Sequence, residues 1–173
     1  MMNEIVVRKA TVEDAERIAT IRMATWQFAY QNILPQSVFD NFDYTAELEK
    51  WKKLFIDNQS IHVSTVDEVV RAYCSIHAIR PDCVVGNYQV DGEIGAIYAE
   101  PCFEGRGLGS AMFDYARKVF REKKYKNFLV WCLKDNKIGK SFYINKQKGK
   151  IISERTRNIG GADVQEVAIV FNL

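Results

Sequence analysis

The stretch Glu104-Gly-Arg-Gly-Leu-Gly-Ser110 is where residue types and spacing point most directly to chemistry. Glycine lets a backbone turn tightly and approach a ligand closely, because no Cβ stands in the way. Leu108 opens the clearest helical pattern in the chain, with Ala111, Met112, Tyr115, Ala116, Val119 and Phe120 following at steps of three and four. The start of a helix directs unpaired N–H groups and the positive end of its dipole into the preceding loop, which suits a phosphate. Successive N–H groups from Arg106 to Ser110 could wrap a pyrophosphate. The spacing is G-x-G-x-G. It is not the G-x-x-x-x-G-K-[ST] of a P-loop, nor the G-x-G-x-x-G that follows the first strand of a dinucleotide-binding unit. A flexible turn before a helix would carry the same glycines, so the loop alone leaves both readings open.

Other reactive side chains give less. Cys74, Cys83, Cys102 and Cys132 are widely spaced and form no C-x-x-C pair. With only His62 and His77 beside them, no metal site is expected. Cys74 and Cys132 lie in apolar runs and read as buried, reduced thiols. No family signature surrounds any cysteine as a nucleophile.

Composition narrows the class. The 173 residues are 47% hydrophobic, enough for one core. The 24 basic and 22 acidic residues leave a net charge of +2, and the short clusters Lys123-Lys124 and Lys146 to Lys150 read as solvated surface. Nucleic acid is therefore not an expected partner. No run approaches the ~20 apolar residues of a membrane span. The start, MMNEIVVRKA, shows no leader, so a reducing cytoplasm is the expected location.

The elements that must position the loop follow from periodicity. Ile5 to Val7 read as a strand, and Thr11 with Asp14 as a capping box opening a helix whose face carries Ile18, Ile21, Thr25 and Phe28. A second helix is expected over Ala46 to Phe55. Ile61, Val63 and Thr65 alternate with polar residues as in a half-buried strand, Asp67-Glu68 is the turn, and Val69 to His77 the partner strand. Arg80 to Gly92 holds at least one turn. Ile94 to Ala99 is the strand before the glycine loop. Phe128 to Leu133 reads as a strand buried on both faces. Ile138 to Lys146 is a short helix, and Lys150 to Ser153 and Val164 to Phe171 are closing strands around Gly160-Gly161. The order β-α-α-β-β-β-α-β-α-β-β, with no repeat or linker, describes one α/β domain over residues 1–173.

Two blocks resemble the GNAT family of N-acetyltransferases. Ile97-Tyr98-Ala99-Glu-Pro101 matches its apolar strand and V-x-P step, and Glu104-Gly-Arg-Gly107-Leu-Gly109 matches its [RQ]-x-x-G-x-[GA] loop, with Glu104 in place of Arg or Gln. Asn136-Lys-Ile-Gly139-Lys-Ser-Phe142-Tyr143 resembles N-x-x-[AG]-x-x-[FL]-Y, and the segment Ile144 to Lys150 runs one residue longer than the family pattern. Thr25-Trp26 through Leu34-Pro35 also looks like the opening of small bacterial members. The resemblance implies the acyl-CoA N-acyltransferase fold: a mixed, mostly antiparallel sheet of about seven strands flanked by about four helices. It implies acetyl-CoA as acetyl donor without a metal, a small-molecule or peptide amine as acceptor, and a homodimer. Its donor site would comprise Ile97, Tyr98, Ala99, Glu104, Gly105, Arg106, Gly107, Leu108, Gly109, Ser110, Asn136, Ser141 and Tyr143. Glu104 is expected to point outward or to pair with a base such as Arg106, since a carboxylate aimed at a pyrophosphate is unfavourable.

Acetyl transfer to an amine sets three tasks. The ammonium, with a pKa of about 10.4, must lose its proton. An oxyanion needs a donor, expected to be a backbone N–H of the Ile94 to Ala99 strand. The thiolate, with a thiol pKa of about 8.5, leaves more easily if protonated. By resemblance Tyr143 is the general acid and Glu93 the candidate base, with a water chain as the other possibility. Period two places Glu93 on one face with Gly95 and Ile97. The backbone of Ile97 and Ala99 would pair with the pantetheine arm like an added strand. Trp26, Tyr30, Phe39, Phe42, Tyr44 and Arg157 are the acceptor-side possibilities. Two other readings predict different ligands: a non-catalytic acyl-CoA-binding regulatory module, and a nucleotide-binding protein with another phosphate ligand.

Overall fold

The first helix forms where local capping fixes its start. In the computed structural model, which describes residues 4–56 and 60–173, the Thr11 N–H donates to Asp14 Oδ2 at 2.8 Å, and Arg8 forks onto the same carboxylate at 2.7 and 2.8 Å. Residues 1–3 of the segment read for a leader lie outside the described residues. From this cap run β1 (Val6–Lys9), α1 (Ala15–Tyr30), α2 (Gln36–Asp40), α3 (Tyr44–Ile56), β2 (Ile61–Val66), β3 (Val69–Ala78), β4 (Gly92–Ala99), α4 (Leu108–Glu122), β5 (Asn127–Leu133), α5 (Lys137–Lys140), β6 (Lys150–Ile159) and β7 (Ala162–Asn172).

One sheet of order β1-β2-β3-β4-β5-β7-β6 carries the fold. Every pairing is antiparallel except β4 with β5. Both expected hairpin turns form with two left-handed residues each, Asp67 and Glu68 (φ 51° and 62°) and Gly160 and Gly161 (φ 59° and 89°). Two positive φ values give a turn the twist that its flanking strands need. One face of the sheet packs Met112, Phe113 and Phe120 of α4 on Phe128 and Phe171. The other packs Ile18 and Ile21 of α1 and Trp51 of α3 on Ile61, Val63 and Tyr73.

Helices on both faces explain where the structure departs from the periodicity. β2 was expected to be half-buried, yet all six residues are buried, because α1 and α3 cover one side and α4 the other. Phe28 is 44% exposed and does not extend the buried stripe of Ile18, Ile21 and Thr25. Seven residues beyond Ile21 it keeps to within about 20° of that residue's direction at 3.6 residues per turn, so the stripe ends along the helix axis and not by angular drift. Phe113, absent from the expected face of α4, is fully buried. α2 was not expected: it has five residues, none buried, too few for a period to show. The closing strands are longer than expected and zip together as one hairpin.

Candidate functional site

β4 and β5 pair only at Gly92–Phe128 and Glu93–Leu129, and then part. Beyond that point β4 runs on to Ala99 and β5 to Leu133 with a gap between them. The gap is a cavity of about 620 Å³. Its walls are Ile94 to Ala99 of β4, Val130 to Cys132 of β5, the loop at Phe103 to Gly105 with the start of α4, and the segment from Asn136 to Tyr143. The two sequence blocks, far apart in the chain, thus meet across one opening. Along it the parting strands leave main-chain groups that could receive an extended ligand.

The glycine loop turns as its sequence requires. Gly105 and Gly107 have φ of 73° and 90°, and Gly107 caps α4. The first bond of the helix runs from the Ala111 N–H to the Gly107 carbonyl at 2.9 Å. The N–H groups of Leu108, Gly109 and Ser110 precede it and lie at the positive end of the dipole. The Ser110 hydroxyl, in the cavity wall, is buried and has no hydrogen-bond partner among the described residues. Arg106 contributes less than the sequence implied: its N–H already donates to Phe103 O at 3.4 Å, and its guanidinium rests 4.7 Å from the Phe103 ring. Glu104 is exposed, as expected, but no ion pair joins it to Arg106 among the described residues.

Tyr143 is brought to the same cavity by an irregular helix. α5 is capped by Asn136, whose side chain accepts from the Gly139 N–H at 2.9 Å. Ser141–Lys146 then form a π-helical turn, closed by Gln147 N–H to Phe142 O at 2.9 Å. Such a turn takes up an inserted residue, and here it falls where the sequence runs one residue longer than the family pattern. Tyr143 is buried against Phe142, Phe113 and Phe171. Burial pushes its phenol well above the usual value, so the group is protonated. Ser141 is exposed at the cavity edge and accepts from the Asn145 amide at 3.3 Å. The Ala99 carbonyl accepts from Thr25 Oγ1 at 3.0 Å, which ties β4 to α1.

Glu93 is placed differently from the sequence expectation. Pairing shifts register between Ser75–Ala96 and Ile76–Ile94, leaving Gly95 as the extra residue of a bulge. A bulge breaks the period of two. Ile94 and Ile97 therefore share the α4 face while Ala96 and Tyr98 face α1, and Glu93 lies opposite Ile97 rather than beside it. A Cβ on Gly95 would sit 2.8 Å from the Ser75 hydroxyl, so glycine fits the bulge without moving that side chain. Glu93 is 1% exposed and ion-paired with Arg80, and its Oε2 has no partner among the described residues.

Glu93 lines a second, polar cavity of about 400 Å³. The two cavities share Tyr30, Ile94, Gly95, Tyr98 and Trp131 as a common wall. In that wall the Tyr30 and Tyr98 hydroxyls are 3.4 Å apart. Of the acceptor-side residues, Trp26, Tyr30 and Arg157 line this cavity, whereas Phe39, Phe42 and Tyr44 do not. Sequence reasoning missed Arg22, Arg80, Arg155 and Glu166. Arg155 and Arg157 alternate along β6 toward Glu166 on β7, but that pattern acquires meaning only once the hairpin register is known.

Among the described residues no group of three or more His, Cys, Asp or Glu is placed to hold a metal ion, and no helix is long and apolar enough to cross a membrane. All four cysteines are free thiols; Cys74 and Cys132 are buried, and burial pushes both up to about 12.

Residues 16–148 match the model of the acetyltransferase (GNAT) family. The uncharacterized N-acetyltransferase YuaI of Bacillus subtilis (strain 168) is 22% identical over 165 residues, which are 95% of this chain and 91% of that protein. The crystal structure of the PaiA N-acetyltransferase of Thermoplasma acidophilum, in complex with coenzyme A, superposes with a TM-score of 0.72 at 17% identity, covering 98% and 99% of the two chains. That of YncA from Salmonella typhimurium, with its cofactor acetyl-CoA, gives 0.70 at 14% identity over 98% and 94%. These likenesses show a common fold, a mixed seven-stranded sheet between helices, and the family match covers most of the sequence, including both blocks around the cavity: the chain belongs to the GNAT family of acetyltransferases.

Proposed function

We propose that the whole chain acts as one domain that transfers the acetyl group of acetyl-CoA directly to a primary amine. The observation that carries this reading is the meeting of two cavities at one wall, the first assigned here to the donor and the second to the acceptor. The donor cavity fits the coenzyme in three respects. The first turn of α4 offers N–H groups to a pyrophosphate. Ser110 offers a buried hydroxyl that lacks a partner among the described residues. A Cβ on Gly109 would meet only the Phe142 ring, at an ordinary 3.5 Å, and the residue has no positive φ. Neither packing nor backbone demands glycine there, and a residue this small leaves the N–H groups of the turn open to a ligand. The coenzyme A of the Thermoplasma structure and the acetyl-CoA of the Salmonella one support the same donor here.

When bound, acetyl-CoA supplies the acetyl thioester. The rest falls to the protein. Leu108 to Ser110 hold the phosphates, with Glu104 at the rim and Arg106 outside it against the Phe103 ring. The edge of Ile97 to Ala99 aligns the arm between the strands. Asn136 fixes the start of α5, and through the π turn sets Tyr143 in the cavity. Tyr143, held protonated by burial, gives its proton to the departing sulfur. Glu93, on the acceptor side, takes a proton from the amine through its free Oε2 or a water between them. Arg80 keeps that carboxylate oriented.

A thiol-release assay with acetyl-CoA and a panel of amines tests the proposal. Release that depends on both acetyl-CoA and an amine is expected. Tight acetyl-CoA binding with no release for any amine would show a binding module instead, and stabilisation by ATP or NAD but not acetyl-CoA would show a nucleotide site.

A further inference from the structure

Three residues that line the second cavity have hydrogen-bonding capacity left over. Trp26 Nε1 is buried and has no partner among the described residues, and the same holds for Glu93 Oε2. Arg157, 56% exposed, reaches Glu166 only at 3.5 Å, while Arg155 holds that carboxylate at 2.8 Å. Buried donors and acceptors without partners are uncommon and destabilising, so a ligand that completes them is favoured. Two donors and one acceptor describe a ligand with two unlike ends: an anion for the indole N–H and the guanidinium, and an amine for Glu93. The guanidinium fork matches a carboxylate in particular.

Charge agrees. Arg22, Arg80, Arg155 and Arg157 line the cavity against Asp82, Glu93 and Glu166, leaving one positive charge. Including Glu47, which pairs with Arg22, and Lys50, which pairs with Glu47, leaves that excess unchanged. The surplus positive charge lies with the arginines and suits a carboxylate, while the amine end, before it gives up its proton, faces the Glu93 carboxylate.

The strand register sets the length. Glu93 pairs with Leu129, and Glu166, the anchor of Arg157, pairs with Leu133. Four residues along β5 are about 13 Å of backbone, which inward-leaning side chains shorten. Glu93 stands beside the wall shared with the donor cavity, so the amine end lies there and the carboxylate end away from it. We infer that the acceptor is an amine bearing a carboxylate several bonds away, such as an ω-amino acid, the side-chain amine of a diamino acid or a short peptide.

This inference rests on the acetyl-transfer reading, and two measurements keep them apart. Calorimetric titration with acetyl-CoA reads the donor site on its own. Thiol release then compares ω-amino acids of increasing length with their amides and with a diamine of matched length. The acids should gain with length up to the span of the cavity, and conversion to the amide should lower kcat/KM by about tenfold to a hundredfold, the worth of a charge-assisted hydrogen bond. Arg157→Gln and Trp26→Phe should each raise KM for the acid and narrow its advantage over the amide. Both lie outside the donor cavity, so acetyl-CoA affinity should hold. Equal rates for acid and amide, or preference for the diamine, overturn the inference while leaving acetyl transfer standing. No release from any of the series despite acetyl-CoA binding overturns the inference, and acetyl transfer falls with it only if the wider amine panel is also silent.

Discussion

Tyr143→Phe isolates one hydroxyl. The ring contacts with Phe142, at 5.1 Å between centroids, and with Phe113 and Phe171, at 6.3 Å each, remain in the variant. Stability should therefore change by less than ~1 kcal/mol, the range for a neutral hydrogen-bonding group. The kinetic effect should be larger. A positioned general acid contributes about 10²- to 10⁴-fold. A thiol with an ordinary pKa of about 8.5 is already a fair leaving group near neutrality, which places the loss near the lower end, about 10²-fold or ~2.7 kcal/mol. Turnover at saturating acetyl-CoA and acceptor, followed by thiol release, should fall by that factor, with the acetyl-CoA dissociation constant nearly unchanged. Because burial raises the phenol well above its usual value, the acid form persists as pH rises. Wild-type turnover should accordingly show no loss assignable to Tyr143 below the ordinary phenol pKa of about 10. Unchanged turnover in a folded variant that still binds acetyl-CoA would refute the acid role.

Three further outcomes are expected. Ser110→Ala should act with opposite signs: removing a buried hydroxyl that has no partner leaves the free protein as stable or up to ~1 kcal/mol more so, by thermal unfolding, while calorimetry finds acetyl-CoA binding weakened about tenfold; weaker stability with unaltered binding would make the hydroxyl structural. Gly107→Ala has room for the Cβ, 3.7 Å from Ile5, yet forces alanine to a φ of 90°, so denaturant titration should show a loss of ~1–2 kcal/mol from backbone strain alone. Burial raises the Cys74 thiol to about 12, so its protonated form favours the folded state. That stability is fully present below the unfolded thiol pKa of about 8.5 and declines above it, by ~1.4 kcal/mol per pH unit until the folded pKa is reached; Cys74→Ala should flatten this alkaline slope, and an unchanged slope would place the loss in other groups.

The glycine loop and its helix were legible because their requirements are local. A tight turn asks for glycine, a helix face repeats every three or four residues, and both fit within the span of Glu104 to Phe120. Tyr143 was legible only through resemblance, since nothing about an isolated Ile-flanked tyrosine reveals that a π turn aims it into a cavity. The second cavity was largely illegible. Its walls come from α1, the segment before β4, β5 and the β6–β7 hairpin, and its arginines look like ordinary surface charge until Glu166, Trp131 and Glu93 are seen beneath them. β2 was misjudged for a related reason: alternation reports chemistry along one strand, whereas burial depends on what covers both faces.

Gly95 shows how much one such non-local feature decides. Without the bulge, Glu93 would share a face with Ile97, inside the donor cavity, where a carboxylate would stand among groups suited to a thioester and a pantetheine arm. The extra residue turns the strand between them, so that Ile94 and Ile97 continue the α4 core while Glu93 opens onto the other cavity. The same residue lies in the wall common to both cavities. A Cβ there would press on the Ser75 hydroxyl at 2.8 Å and on the His77 ring at 3.3 Å, so these side chains would have to move. In the proposed reaction the sheet would thus keep donor and acceptor groups on opposite sides until the strands part, and bring them together only where β4 and β5 stop pairing.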